Sequence, residues 1–196
     1  DLVGKQSILQ CLRESSQAAV SLLDNLLYWR GSQADELVVV PSRFEVKKLV
    51  DEVISLFIHM STRKELELNA EVTPGTMAYA DRLLVHTVVR NLVSNAIKFT
   101  SRNGLISIRA LPENDHVLIS VSDTGIGIKQ EIIEQFERNG QLQSSAGTEK
   151  EHGTGLGLQL VSDLVQRNGG ELSVKSQPGK GSTFTFTVPG NEKRDA

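Results

Sequence analysis

The chain has 196 residues, 39% of them hydrophobic and 23% charged, with a net charge of −3. That is room for one real core and a further element, and the absence of a basic run argues against nucleic-acid binding. Cys11 is the single cysteine, so an intramolecular disulfide is excluded, and no apolar run approaches the roughly 20 residues that span a bilayer.

A cytoplasmic location is expected, with a parent protein that a membrane anchor would not contradict. The chain opens on "DLVGKQ", without an initiator Met, and is read as a fragment. Ile8, Leu12, Ser15, Ala19, Leu22, Leu26 and Trp29 then form a heptad-like seam, widened by Leu23 and Leu27. It predicts a helix over about 6–30 that seeks other helices, in a hairpin or a dimeric bundle. "GSQADE" (31–36) reads as a linker.

"LVVV" (37–40) predicts a short strand stopped by Pro41, and Ser42 is a candidate cap for the next helix. In that helix Val46, Leu49, Val50, Val53, Ile54, Phe57 and Ile58 recur at helical spacing. "ELELNAEV" (65–72) alternates like a strand, and "TPGT" turns the chain. Asp81 is a plausible N-cap for a helix ending near Phe99. "LISIRAL" and "HVLISVS" flank "PEND" as a hairpin, and a short helix is expected at about 129–137. Residues 138–154 are polar and glycine-containing and predict a mobile loop. A helix comes next at about 155–168, ended by "RNGG", and "QPGKG" joins "ELSVKS" to "STFTFTV" as a second hairpin.

Three stretches carry candidate chemistry. Asn91, Asn95 and Lys98 share one helical face, beside the core-facing arc of Val85, Val88, Val89, Leu92 and Ala96. Amide oxygen suits a hard cation and an ammonium suits phosphate; a merely solvated face is the plainer explanation. In "VSDTGIGI", Asp123 at a strand end can accept from an exocyclic amine, and two glycines suggest a close backbone approach; an Asx-turn is the plainer alternative. In "EHGTGLGLQLV", three glycines precede an apolar helix whose N-terminal N–H groups suit an anion. This last motif fits neither a Walker loop nor a dinucleotide fingerprint.

Their order is the stronger signal. "NLVSNAIKFT", "DTGIGI", "GTGLGL" and "GGELSVKSQPGKGSTFTFTVP" together resemble the catalytic ATP-binding domain of sensor histidine kinases, a branch of the GHKL ATPases. "SLLDNLLYWRGSQ" is similar to the end of that family's dimerisation and histidine-phosphotransfer hairpin. The resemblance implies an α+β chain: a two-layer α/β sandwich of the Bergerat (GHKL) type, its mixed, mostly antiparallel sheet covered by helices on one face, behind a long helix. Residues 1–33 would be the partial hairpin, 37–190 the catalytic domain and 191–196 a tail.

It also implies roles. Asn95 would be the principal Mg²⁺ ligand, Asn91 would assist, and Lys98 would contact phosphate. Phe99 would pack near the adenine, Asp123 would take its N6 amine, and Gly125 and Gly127 would shape the pocket. Gly153, Gly155, Leu156 and Gly157 would close over the phosphates of ATP, and Thr183 would join the adenine-site water network. The family's phenylalanine-rich box is reduced to "IIEQFERN", with Phe136 alone. None of His59, His86, His116 and His152 has the sequence context of the phospho-acceptor, so the acceptor is expected outside this sequence. The expected function is transfer of the ATP γ-phosphoryl group to that histidine, for relay to a response-regulator aspartate, in a homodimeric parent. A clamp-type GHKL ATPase and a degenerate interaction module are the alternatives.

Overall fold

The computed structural model describes residues 38–139, 147–149 and 157–191. The chain divides into two units, 1–38 and 39–196, and every described residue except Val38 belongs to the second. The heptad seam of 8–29 lies outside the described residues.

A five-stranded sheet forms the platform, in the order β2-β4-β5-β7-β6. Its strands are β2 (Glu67–Val72), β4 (Leu105–Glu113), β5 (His116–Asp123), β6 (Leu172–Gln177) and β7 (Gly181–Pro189). Only the β2–β4 pair is parallel. Such a pair needs a long crossover, and helix α2 (Arg82–Phe99) lies within it. A second, two-stranded antiparallel sheet joins β1 (Ser42–Glu45) to β3 (Met77–Ala80).

Period-two alternation decides which face is covered. Ile106, Ile108 and Ala110 of β4, Val117, Ile119 and Val121 of β5, and Phe184, Phe186 and Val188 of β7 are all buried. They meet Leu84, Val85, Val88, Leu92 and Ala96 of α2 and Leu160, Val161 and Leu164 of α4 (Gly157–Arg167). Helix α1 (Val46–Arg63) packs on α2 and β2, and α3 (Gln130–Asn139) lies against β6. This is the expected α+β sandwich, with a mixed sheet covered on one face.

Local chemistry sets the helix ends. Asp81 caps α2 as expected, its Oδ1 accepting from the N–H groups of Leu83 and Leu84 at 3.0 and 3.2 Å. Helix α4 stops in a Schellman motif: Gly169, at φ +74°, donates to Gln166 O, and Gly170 donates to Val165 O.

Two expectations fail near the start. Of "LVVV", the described residues 38–40 are not strand, and Val38 and Val40 are exposed. Strand formation begins instead at Ser42, because β3 supplies the pairing partner: Ser42 faces Ala80 and Phe44 faces Ala78. Ser42 therefore caps nothing. The N-cap of α1 is Glu45, which makes no side-chain cap, and the first N–H of the helix goes to Thr76 O. Ile58, counted in the apolar stripe, is exposed.

Candidate functional site

Asn91, Asn95 and Lys98 lie on one partly exposed face of α2. Asn91 Nδ2 donates to Thr87 O at 2.9 Å, one turn back. That bond fixes the amide and leaves Oδ1 directed at the first residue of α4: a Cβ on Gly157 would lie 3.3 Å from Asn91 Oδ1 and 4.0 Å from Asn95 Nδ2. Two motifs separated by more than sixty residues thus meet at one point. Lys98 Nζ stands 4.5 Å from the centroid of the Phe99 ring, a cation–π arrangement that holds the ammonium at the end of the same face.

Asp123 ends β5. Its Oδ1 accepts from Gly125 N at 2.8 Å and Ser182 N at 3.3 Å. The first bond is the Asx-turn that the sequence suggests. Burial raises the Asp123 pKa, and the two backbone donors oppose that shift. The loop after it is tied to α2, since Ile126 N donates to Phe99 O at 3.1 Å. The glycines answer to this approach. A Cβ on Gly125 would collide with the Phe99 carbonyl oxygen. Gly127, at φ +68°, sits so close to Gln177 that a Cβ would strike its carbonyl oxygen. Gly127 is therefore required by the β6–β7 hairpin, whose Gly179 N also donates to Ile126 O at 2.8 Å.

Thr183 does not share the pocket with Asp123. It pairs with Ser122, one residue out of phase with Asp123, and their hydroxyls are 3.0 Å apart on the sheet face away from the helices. Ser182, which no motif singles out, pairs with Asp123 and is buried. Ser176 Oγ gives its proton to Gly181 O and accepts from Ile128 N. Ser182 Oγ, 2.9 Å away, therefore donates to Ser176 Oγ and keeps its lone pairs for acceptance. Alternation along "GSTFTF" held the signal for Ser182: buried Phe184 and Phe186 put position 182 on the inner face.

Gly153, Gly155, Leu156 and His152 lie outside the described residues, as does most of the expected mobile loop, 138–154. Within that span Arg138 and Asn139 end α3. Thr148 is fixed to the end of α2, its N and Oγ1 each 3.1 Å from Lys98 O.

The residues present fit a magnesium ion that arrives with phosphates. The oriented Asn91 oxygen is a neutral hard donor, and the missing Cβ at Gly157 leaves room before it. Among the described residues no group of three or more His, Cys, Asp or Glu would cage a metal. Mg²⁺ typically takes one or two protein oxygens and completes its octahedron with phosphate and water.

A family model described as "Histidine kinase-, DNA gyrase B-, and HSP90-like ATPase" matches residues 80–192. Over 192 residues the chain is 32% identical to hybrid signal transduction histidine kinase B of Dictyostelium discoideum, covering 94% of this chain and 10% of that protein. It is 29% identical to sensor histidine kinase RcsC of Escherichia coli over 190 residues, or 95% of this chain and 20% of that one. Among solved structures it is similar to full-length ShkA in complex with AMPPNP, with a TM-score of 0.75 and 27% identity over 94% of this chain and 38% of that one. The chain thus spans a tenth to a fifth of the length of these curated relatives. The matched span takes in every described site residue and more than half of the sequence, and the chain belongs to the histidine kinase-, DNA gyrase B- and HSP90-like ATPase family.

Proposed function

We propose that this chain is the ATP-binding catalytic part of a sensor histidine kinase. The observation that carries this is the meeting of Asn91 Oδ1 and Gly157, with Asp123 joined to the same helix through Phe99 O and Ile126 N. In this proposal Asp123 accepts the adenine N6 amine, and Phe99 packs beside the ring. Lys98 contacts phosphate, and Gly153, Gly155, Leu156 and Gly157 close over it. Asn95 and Asn91 hold Mg²⁺, which when bound neutralises charge on the phosphate oxygens. The protein supplies position and electrostatics, with little covalent chemistry of its own.

The acceptor histidine lies elsewhere. His59 and His116 are exposed on α1 and β5. His86 is nine residues from Asn95, half a turn out of phase at about 3.6 residues per turn, and so on the opposite side of α2. The parent protein would relay the phosphoryl group to a response-regulator aspartate and would dimerise through helices such as 8–29. A clamp-type ATPase needs a general base near the metal; Asn91 cannot take a proton from water.

The test is incubation of this chain with radiolabelled ATP and Mg²⁺, beside calorimetry with the same nucleotide. Binding without self-labelling, and transfer when a histidine-bearing hairpin is supplied in trans, are expected. Absence of ATP binding, or an acid-labile label on any of the four histidines, contradicts the proposal.

A further inference from the structure

An α-helix leaves its last four carbonyls without partners inside the helix. At the end of α2 the four are taken by four different segments. Ala96 O accepts from the N and Oγ1 of Thr100, at 3.0 and 2.6 Å. Phe99 O accepts from Ile126 N, in the loop after Asp123. Lys98 O accepts from Thr148. The remaining acceptor, Ile97 O, receives Lys64 Nζ at 2.7 Å, and the same ammonium lies 3.1 Å from Lys98 O.

Lys64 comes directly after the last turn of α1 and is only 5% exposed. A buried ammonium is costly unless hydrogen-bonded and electrostatically matched. Here it meets the negative end of the α2 dipole, where a cation is favourable. It holds the backbone that carries the Lys98 and Phe99 side chains, and Phe99 O in turn anchors the Asp123 loop.

We propose that Lys64 is a positioning residue for the nucleotide site, its buried ammonium fixing the carbonyls of Ile97 and Lys98 so that the phosphate-facing and adenine-facing ends of the site keep their spacing. This rests on the ATP-binding function proposed above. Removal of the charge frees the last turn of α2, and Lys98 and the Phe99–Ile126 link lose their common reference.

The alternative is a staple that joins α1 to α2 and affects stability alone. Calorimetry with ATP and Mg²⁺, run beside thermal unfolding, separates the two for Lys64→Met and Lys64→Arg. The methionine variant keeps the stem without the donors, and its affinity for ATP should fall about tenfold, the equivalent of one charge-assisted hydrogen bond. The arginine variant, which restores charge and donors, should recover most of that loss. Should Lys64→Met not fold, Lys64→Gln takes its place with the same readings. A lowered melting temperature with unchanged ATP affinity in the folded variant overturns the proposal, as does a loss that arginine fails to recover. No ATP binding by the unaltered chain overturns the nucleotide function itself, and this inference with it.

Discussion

Asn168 Oδ1 accepts the backbone N–H of Asp81 at 2.8 Å, so the residue that ends α4 holds the residue that starts α2. The Asn168 amide nitrogen is also used, donating to Leu164 O at 2.9 Å, and the side chain is buried. Asp81 in turn gives Oδ1 to the first turn of α2 and Oδ2 to Val40 N. The two helices that present Gly157 and Asn91 to each other are thereby clamped at their far ends. Asn168→Ala leaves Asp81 N–H without its acceptor, a loss of about 1–3 kcal/mol. The melting temperature should fall by roughly 2–12 °C, at about 2–4 °C per kcal/mol for a domain of this size. A variant that melts with the unaltered protein would refute the clamp.

The Asp123 carboxyl is pushed up by burial, against two backbone donors. Its charged form is therefore disfavoured by folding. As pH rises from the unfolded value of about 3.9, the unfolded chain loses its proton first, and stability falls until the raised native pKa is passed. Asp123→Asn keeps an oxygen for Gly125 N and Ser182 N and removes the charge. In the absence of nucleotide it should melt at or above the unaltered protein at neutral pH, and the gap should close on acidification through that window. ATP affinity should still fall about tenfold or more, because a charged acceptor is lost. In the unaltered protein ATP affinity should likewise fall as acid protonates Asp123. A variant that is less stable and binds ATP normally would contradict both halves.

His86 carries the opposite sign. Burial, then Arg90, lower its pKa, with Glu52 opposing and Arg82 adding to the fall. The native state thus holds the neutral imidazole while the unfolded chain protonates near 6.5. Stability attached to His86 is complete above that value and is lost as pH falls from it toward the lowered native pKa. His86→Gln, which cannot titrate, should flatten the melting profile in that window and leave ATP affinity unchanged. An unaltered profile in the variant would rule out the assignment.

Local rules made much of the fold legible. Asp81 announces α2 because its cap lies within three residues of it, and β4, β5 and β7 show their inner faces in simple alternation. What failed was non-local. Residues 38–40 are apolar yet pair with no strand among the described residues, whereas the more polar "SRFE" finds a partner in β3 some thirty residues on. Lys64 and Asn168 look like ordinary polar residues at helix ends, and only the packing shows whose backbone groups they satisfy. In the site, residue type and order pointed to Asn91, Asp123 and Gly157. Register, which no motif encodes, put Ser182 rather than Thr183 beside Asp123.

The glycines allow the sharpest separation of fold from site. Gly127 has a left-handed backbone, and a Cβ there strikes the Gln177 carbonyl oxygen, a rigid neighbour. Gly127→Ala must therefore move the β6–β7 hairpin or the loop after Asp123, and should lower stability by more than about 1 kcal/mol. Gly157 differs on both counts. Its φ lies outside the left-handed region, and the nearest atom to an added Cβ is Asn91 Oδ1 at 3.3 Å, a side chain facing the proposed metal position. Alanine at the start of α4 favours the helix by up to roughly 1 kcal/mol. Gly157→Ala should thus melt at or above the unaltered protein while its affinity for ATP with Mg²⁺ falls several-fold. Binding of ATP in the presence of a chelator should change less, because the intrusion is at the Asn91 oxygen and not at the adenine end. Thermal unfolding and calorimetry on the two variants decide the matter. If Gly157→Ala loses stability and keeps its Mg²⁺-dependent affinity, the meeting of Asn91 and Gly157 serves packing, and the metal position must be sought elsewhere on α2.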